Sequence, residues 1–350
     1  AIGFTNSAGD MNRYQFAVFA IACSLISAIA PMLFASGNKK DQEAEALFTK
    51  ARSLSDLEAK GSPPFEMDAK ITLYNLTGSH EDGDYHRIWE SKTESRTEIS
   101  LPDYHSITVD HAGKTWHSSN LLYRPYFIFQ MGNALSFPSP LNISSNIKLT
   151  KVQERKINGV SAECAGVSTK GLKEHPAFCF DPATGYLISE EDPVWFTTLQ
   201  FSDYTPIGEK SFPRTLRVLQ DGQLLLEVKI TALTSIKMTE NMLAPLPNIQ
   251  PDPIVNCAKG QTLPVHSITK TPPEYPTAAL QLRIQGTVVL YADIGKDGIP
   301  RGLTILRSPG VAFSATSLAA VSQWRYTPTT CGGIPLEVQM PIDVNYTIGP

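Results

Sequence analysis

Residues 324–328 read WRYTP and separate two different hydrophobic patterns. Upstream, Phe313, Leu318 and Val321 recur at helical spacing, which predicts a helix from Ala312 to Gln323. Downstream, apolar and polar residues alternate from Leu336 to Thr347, which predicts a strand with one buried face. That apolar face comprises Leu336, Val338, Met340, Ile342 and Val344. The chain therefore ends in a helix followed by a strand.

The segment before this helix predicts a shorter helix and a β-hairpin. Thr277 to Arg283 follows a proline and has apolar residues on one side, so it predicts a helix. Thr287 to Ile294 is rich in residues with high β propensity and predicts a strand. A turn at Asp297-Gly298 then leads into a returning strand from Gly302 to Arg307. Residues 264–350 are therefore predicted to form a small α+β domain.

The order and spacing of these residues resemble the C-terminal domain of the TonB energy-transducer family. The resemblance implies a three-stranded antiparallel sheet with two helices on one face. It also implies that the last strand is an edge, which receives the "TonB box" of an outer-membrane transporter as an added strand by β-augmentation. The matching positions are Tyr275-Pro276, Ile284-x-Gly286, Asp297-Gly298, Leu306-x-Ser308, Trp324-Arg325-Tyr326-x-Pro328, Gly333-x-Pro335 and Asp343-x-Asn345-Tyr346.

The same resemblance implies which residues bind the partner. A second contact region maps onto the segment just before Tyr275, which includes Thr271 and Pro272. Trp324 is expected to be a core residue. Pro341 removes one backbone donor from the last strand, which either blunts the edge or shifts the register that a partner must adopt. The predicted partner-binding residues of that strand are Leu336, Glu337, Val338, Gln339, Met340, Ile342 and Val344.

The longer N-terminal part predicts a β-rich domain. A helical pattern from Asp41 to Lys60 comes first, and short alternating runs then follow as far as Thr234. Tight-turn dipeptides at Asn158-Gly159 and Asp221-Gly222 predict hairpins. About ten strands in series would form an antiparallel meander that curls into a half-barrel or barrel. A short helix starting at Pro125 is expected to lie across its open face.

This layout of a leading helix, a curved sheet and an interrupting helix resembles the lipoprotein carrier LolA and its relatives. The resemblance covers residues 41–235 and implies a concave apolar face that accepts an acyl chain or a hydrophobic peptide. The alternative is that the domain's own helices fill that face.

The N-terminus predicts export. An uncharged run from Phe16 to Phe34 follows a weakly basic start, and small residues follow the run. An uncleaved membrane anchor is the alternative. Unlike the membrane helix of the energy-transducer family, the run contains no His. The predicted location is the periplasm or cell envelope of a Gram-negative bacterium, with an inner-membrane anchor if the signal is not cleaved.

These patterns divide the chain into four parts. Residues 1–37 hold upstream residues and a signal peptide or anchor, and residues 38–242 form the β-rich domain. Residues 243–263 form a Pro-rich linker, and residues 264–350 form the C-terminal domain.

Four cysteines lie beyond the predicted signal, and an even number suggests two disulfides in an oxidising compartment. Four cysteines allow three connectivities, of which pairing within each domain is the simplest. These residues are Cys164, Cys179, Cys257 and Cys331.

The sequence offers little support for an enzyme. No nucleophile elbow, zinc-protease motif or phosphate-binding loop is present, and no metal-ligand spacing occurs. We therefore predict no catalytic residues, no metal and no cofactor, and the acidic run Glu190–Asp192 is interpreted as a solvated turn. The net charge of −4 and the absence of a basic stripe argue against nucleic acid as a partner.

Two functions remain. The first is a periplasmic TonB-family protein that docks to partner strands of TonB-dependent outer-membrane transporters and supports transport. The second is a lipid or lipoprotein carrier that its TonB-like domain recruits.

Overall fold

The described part of the chain begins at the leading helix. The structure is a computed structural model that describes residues 39–75, 79–136, 148–168, 175–253, 255 and 262–348. The predicted signal or anchor at residues 1–37 lies outside these ranges. Within them, no helix has the length and apolar character needed to cross a bilayer.

The N-terminal part is one open antiparallel sheet of thirteen strands with two helices. The strand order is β5-β4-β3-β2-β1-β13-β12-β11-β10-β9-β8-β6, and β7 also pairs with β8. Chain neighbours are mostly sheet neighbours, so the predicted meander is confirmed. The elements are α1 (Lys39–Ser55), β1 (Phe65–Tyr74), β2 (His80–Ser91), β3 (Glu94–Ser100), β4 (His105–His111), β5 (Lys114–Ser119), α2 (Tyr126–Leu135), β6 (Lys148–Leu149), β7 (Gln153–Ile157), β8 (Val160–Ser168), β9 (Ala177–Phe180), β10 (Leu187–Asp192), β11 (Thr197–Ile207), β12 (Lys210–Gln220) and β13 (Gln223–Ser235).

Both helices pack on the same hydrophobic core as the sheet. Phe48 of α1 contacts Phe178 and Phe180 edge-to-face, with ring centroids 5.3 and 5.1 Å away. Met131 of α2 is buried in the same cluster, and α2 lies against β12 and β13. In the described ranges, the domain's own helices therefore occupy this face of the sheet.

Several local predictions needed correction. The first helix ends at Ser55 rather than Lys60. Strand β5 was not predicted, because its six residues are polar except for Trp116 and show no apolar alternation. In the structure, Trp116 is also its one buried residue. The predicted hairpin turns are confirmed, since Asn158-Gly159 and Asp221-Gly222 all have positive φ.

A disulfide joins neighbouring strands β8 and β9. Cys164 and Cys179 face each other across the ladder, and both are buried. This confirms one of the two predicted pairings. Cys257 lies outside the described residues, so its pairing with the buried Cys331 remains a prediction.

Replacing both Cys164 and Cys179 by Ala is expected to lower the free energy of unfolding by about 3 kcal/mol, because the link closes a loop of 15 residues. Urea unfolding of the oxidised proteins measures the difference. Under reducing denaturation, wild type and variant should become nearly equal, and a difference that persists there would argue against the link as its cause.

The start of the predicted linker packs on the N-terminal domain. Leu243 is buried, and the Asp252 N–H donates to the Thr115 carbonyl of edge strand β5 at 2.7 Å. At the other end of the linker, Thr262 and Leu263 pair with Cys331 and Thr330 of the C-terminal domain. The described ends of this segment are therefore held against folded structure.

The C-terminal part contains the predicted sheet, with the order β17-β16-β21. Alternate residues of β16, such as Val288 and Leu290, share a core with Ala279 and Phe313 of the two helices. The predicted sheet with two helices on one face is confirmed. The elements are β14 (Thr262–Leu263), β15 (His266–Thr269), α3 (Thr277–Gln281), β16 (Gly286–Ile294), β17 (Pro300–Arg307), α4 (Val311–Val321), β18 (Arg325–Thr327), β19 (Thr329–Cys331), β20 (Ile334–Leu336) and β21 (Val338–Tyr346).

Residues of the recognised motifs hold the segments of this domain together. The Tyr275 hydroxyl donates to the Ile284 carbonyl at 2.6 Å. The Tyr326 N–H donates to the carbonyl of Gly298, where a side chain would collide with the Tyr326 backbone. Trp324 is buried in the core, as predicted. These rings stabilise the fold.

Candidate docking surface

The last strand starts later than predicted. A hairpin through Gly332 and Gly333, both with positive φ, pairs β19 with β20 and places Leu336 opposite Thr329. Leu336 therefore belongs to β20, and Glu337 lies between the two strands. Two of the predicted partner-binding residues thus precede the edge strand, because a local glycine turn interrupts the alternating pattern.

Strand β21 is an edge of the three-stranded sheet. It pairs with β16 in an unbroken register from Gly286↔Tyr346 to Ile294↔Val338. Among the described residues no strand lies on its other side. The side chains of Met340, Ile342 and Val344 pack in the core that the helices share, and Val338 on the same face is also buried. The edge therefore offers its backbone, while these four side chains belong to the core.

Pro341 identifies which backbone groups face the open side. It has no N–H, yet the ladder passes through Tyr291↔Pro341 without a register shift. A proline fits in a ladder where its nitrogen points away from the partner strand, and successive residues direct their backbone groups to opposite sides. Gln339 and Asn345 therefore also direct their backbone groups outward. Ile348 supports this alternation, since its N–H donates to Gln285 Oε1, next to β16, at 2.8 Å.

The opposite edge of the sheet is covered by the N-terminal domain. Leu306 sits at an irregularity in β17, and its carbonyl accepts a hydrogen bond from Gln220 Nε2 at 3.0 Å. The Arg307 guanidinium lies 5.2 Å from the ring centre of Phe196. Gly302 lies so close to Tyr123 that a Cβ there would be only 2.7 Å from its ring. An incoming strand would have to displace these contacts at β17.

The second face of the sheet also packs on the N-terminal domain. Tyr291 is fully buried, and its ring lies 5.0 Å from Tyr126 and 6.0 Å from Trp195. Its hydroxyl donates to the Arg124 carbonyl at 2.7 Å. Val289 and Leu306 complete this cluster. The two domains therefore share an aromatic interface.

A buried carboxyl group lies where this interface meets β21. Asp293 accepts the Arg124 N–H at 2.6 Å and is only 1% exposed. Gln339 Nε2 donates to its other oxygen at 3.3 Å. Burial, followed by the nearby Glu337 carboxylate, raises the pKa of Asp293 to about 8. The buried position therefore favours the protonated form of Asp293.

The predicted second contact region has an internal role. The Thr271 carbonyl accepts a hydrogen bond from Trp324 Nε1 at 2.8 Å, and Pro272 is exposed. Among the described residues, neither strand pairing nor a hydrogen bond brings Thr271 or Pro272 to β21. Their role in partner binding stays a prediction.

The acidic run of the N-terminal domain is not a solvated turn. Glu190–Asp192 belongs to β10, where Glu190 lies opposite Phe178 and Leu199. Burial and then Asp192 raise the pKa of Glu190 to about 8. The Asp192 carboxylate accepts the Val194 N–H at 2.9 Å. In the ranges that the structure covers, no three His, Cys, Asp or Glu side chains form a group that could hold a metal.

A cleft of about 460 Å³ opens where the two domains meet. Its walls combine residues at the end of β1 and the start of β2, the segment that leads into α2, and part of β17. Tyr74, Phe127 and Leu303 contribute apolar surface, and His80 and Glu81 make one side polar.

Sequence reasoning missed the interface between the domains, although one signal for it existed. Every residue from Val288 to Ile294 is buried. A strand covered on both faces is hydrophobic almost without interruption, rather than alternating. The run Val288–Ala292 has that character and could have indicated a second packing partner.

Comparisons with known proteins found similarities in both parts of the chain. Residues 271–348 match the family described as "Gram-negative bacterial TonB protein C-terminal", which confirms the predicted resemblance for this domain. The solution structure of the Pseudomonas aeruginosa TonB C-terminal domain is similar at 28% identity, with a TM-score of 0.22, and the match covers 25% of this chain and 88% of that one.

The N-terminal part is similar to other solved structures. A LolA superfamily protein from Nitrosomonas europaea matches at 8% identity and a TM-score of 0.38, covering 57% of this chain and 97% of that one. A DUF1329 family protein from Desulfovibrio piger matches at 10% identity and a TM-score of 0.40, covering 58% and 96% respectively. A search of curated proteins found no match.

Proposed function

We propose that β21 docks an extended segment of an envelope protein, a TonB-dependent outer-membrane transporter, by β-augmentation and so supports transport across the outer membrane. One observation carries the proposal. In the described structure β21 lacks a second neighbour, whereas the N-terminal domain covers both β17 and the outer face of the sheet. Backbone N–H and C=O groups at such an edge supply the affinity for an added strand.

The family match of residues 271–348 supports this function and a location in the periplasm or cell envelope. The apolar run Phe16–Phe34 lacks the ionisable residue that proton coupling within the membrane would require. We therefore favour an adaptor, in which the docking domain serves a second, β-rich domain, over a force-transducing protein.

A lipid or lipoprotein carrier recruited by its TonB-like domain is the second candidate. The observation that favours it is the cleft of about 460 Å³ between the domains, whose walls include Tyr74 and Phe127. Native mass spectrometry of the purified protein tests this candidate, since a carrier should retain a lipid at stoichiometric amounts.

Gln339→Pro is expected to weaken docking about tenfold, because it removes an outward N–H and leaves a partner carbonyl without a donor. Isothermal titration calorimetry of synthetic TonB-box peptides with the purified protein measures the effect on affinity. Gln339→Thr is the matched control, since it loses the same contact with Asp293 but retains the backbone N–H.

Met340→Pro provides the opposite control. The Met340 nitrogen faces β16, so this proline should break the domain's own ladder and lower its stability by about 3 kcal/mol or more. If Gln339→Pro and Gln339→Thr bind the peptides equally well, the proposed added strand is wrong.

A further inference from the structure

We propose that Pro341 determines which segments β21 accepts: it selects a single flexible extended peptide and rejects both a second copy of the chain and the edge of a folded sheet. This inference rests on the proposed docking function. It concerns the one outward position on β21 at which the docking edge can accept a hydrogen bond but cannot donate one.

The missing donor lies in the middle of the edge. Pro341 is flanked by outward-facing positions on both sides within Val338–Tyr346. In an added antiparallel strand, each residue opposite an outward position exchanges two hydrogen bonds with it. The residue opposite Pro341 can donate to the Pro341 carbonyl, but its own carbonyl finds no donor. The docking edge is therefore divided into two short stretches.

Pro341 cannot turn away from this position. Its ring is buried, and its cross-strand neighbour on the same face is Tyr291. Tyr291 in turn is packed between Tyr126, Phe129 and Trp195 of the N-terminal domain. The interface between the domains thus holds the gap in a fixed place along the edge.

A flexible peptide tolerates such a gap better than a folded sheet does. A single peptide can tilt one carbonyl toward water, because its other side is solvated. The edge strand of another sheet is held by its own ladder and would keep that carbonyl between the strands without a partner, which is costly. Two copies of β21 pairing about Pro341 would place two missing donors opposite each other.

Backbone ester substitution in the peptide tests this inference on the unaltered protein. An ester weakens one carbonyl as an acceptor and removes the following N–H. Each TonB-box peptide linkage whose carbonyl faces β21 is replaced in turn, and affinity is measured by calorimetry. We expect each ester to weaken binding about three- to tenfold, except one that has no effect, the linkage opposite Pro341.

Restoring the donor should reverse this pattern. Pro341→Ala is expected to bind the unmodified peptide about three- to tenfold more tightly. In this variant, an ester at the linkage opposite residue 341 should also weaken binding. Pro341→Val, which refills more of the space beside Tyr291, should behave in the same way. Sedimentation analysis should show no self-association through β21 in the wild type.

The possible failures are distinguishable. If neither wild type nor Pro341→Ala binds the unmodified peptide, the proposed docking function and this inference are both overturned. If the wild type binds but every ester whose carbonyl faces β21 weakens binding equally, the inference alone is overturned. If the wild type forms a dimer and Gln339→Pro abolishes that dimer, the occupant of β21 is a second copy of the chain. That result would also overturn the inference.

Discussion

Tyr291→Ala is expected to lower the free energy of unfolding by about 3–5 kcal/mol and to separate the two domains in solution. Tyr291 is fully buried at the interface, where it contacts three aromatic rings of the N-terminal domain. Its truncation leaves a cavity between the two halves of the chain.

Urea unfolding measures the loss of stability, and small-angle X-ray scattering measures the separation of the domains. Tyr291→Phe is the matched control, because it retains the ring but loses the bond to the Arg124 carbonyl. That variant should cost only about 1 kcal/mol and remain compact. Equal scattering profiles for Tyr291→Ala and wild type would show that this interface does not hold the domains together.

The second large effect concerns Asp293 and pH. Its pKa is raised from 3.8 to about 8 in the folded protein. Folding therefore takes up a proton between roughly pH 4 and pH 8, and stability falls as the pH rises through this window, by about 1.4 kcal/mol per pH unit at most. Above pH 8 this contribution should level off, because both states are then ionised.

Asp293→Asn is expected to remove the contribution of Asp293 to this pH dependence. The Asn side chain keeps an acceptor for the Arg124 N–H and carries no ionisable proton, so the variant should exceed wild type in stability at pH 8 and match it near pH 4. Thermal unfolding across this pH range measures both. If Asp293→Asn is less stable than wild type at pH 8, the raised pKa of Asp293 is contradicted.

Glu190 contributes a pH dependence of the same sign, since burial raises its pKa to about 8 as well. The single variant Asp293→Asn should therefore retain part of the slope, and Glu190→Gln should reduce it independently. Because the two sites lie in different domains, we expect their effects to be nearly additive.

In the C-terminal domain, local sequence patterns predicted the bounds of helices and strands to within a few residues. The strand predicted from Thr287 to Ile294 is observed from Gly286 to Ile294, and the predicted helix from Ala312 to Gln323 is observed from Val311 to Val321. Helix and strand periodicities depend on residues a few positions apart, so the sequence displays them directly. The boundary at Leu336 was wrong because a glycine hairpin divides one alternating run into two strands.

The N-terminal domain shows where local pattern fails. Strand β5 has the composition of a loop, and its neighbour β4 and the segment at Asp252 hold it in place. Glu190 looked like a surface residue because its charge dominates the local sequence. It is partly buried because it lies opposite Phe178 and Leu199, which belong to neighbouring strands of the sheet.

The sequence alone predicted most helices and strands of the C-terminal domain, because these depend on short-range periodicity and turn residues. The TonB-like domain was predicted from the resemblance of its ordered motifs to the family, and the pairing of Cys164 with Cys179 was the simplest of three connectivities. The open edge was a different matter. Which edge stays available depends on contacts such as Arg124 with Asp293, 169 residues apart, and Gln220 with Leu306. Contacts over such distances form only when the two domains pack together, and no local pattern encodes them.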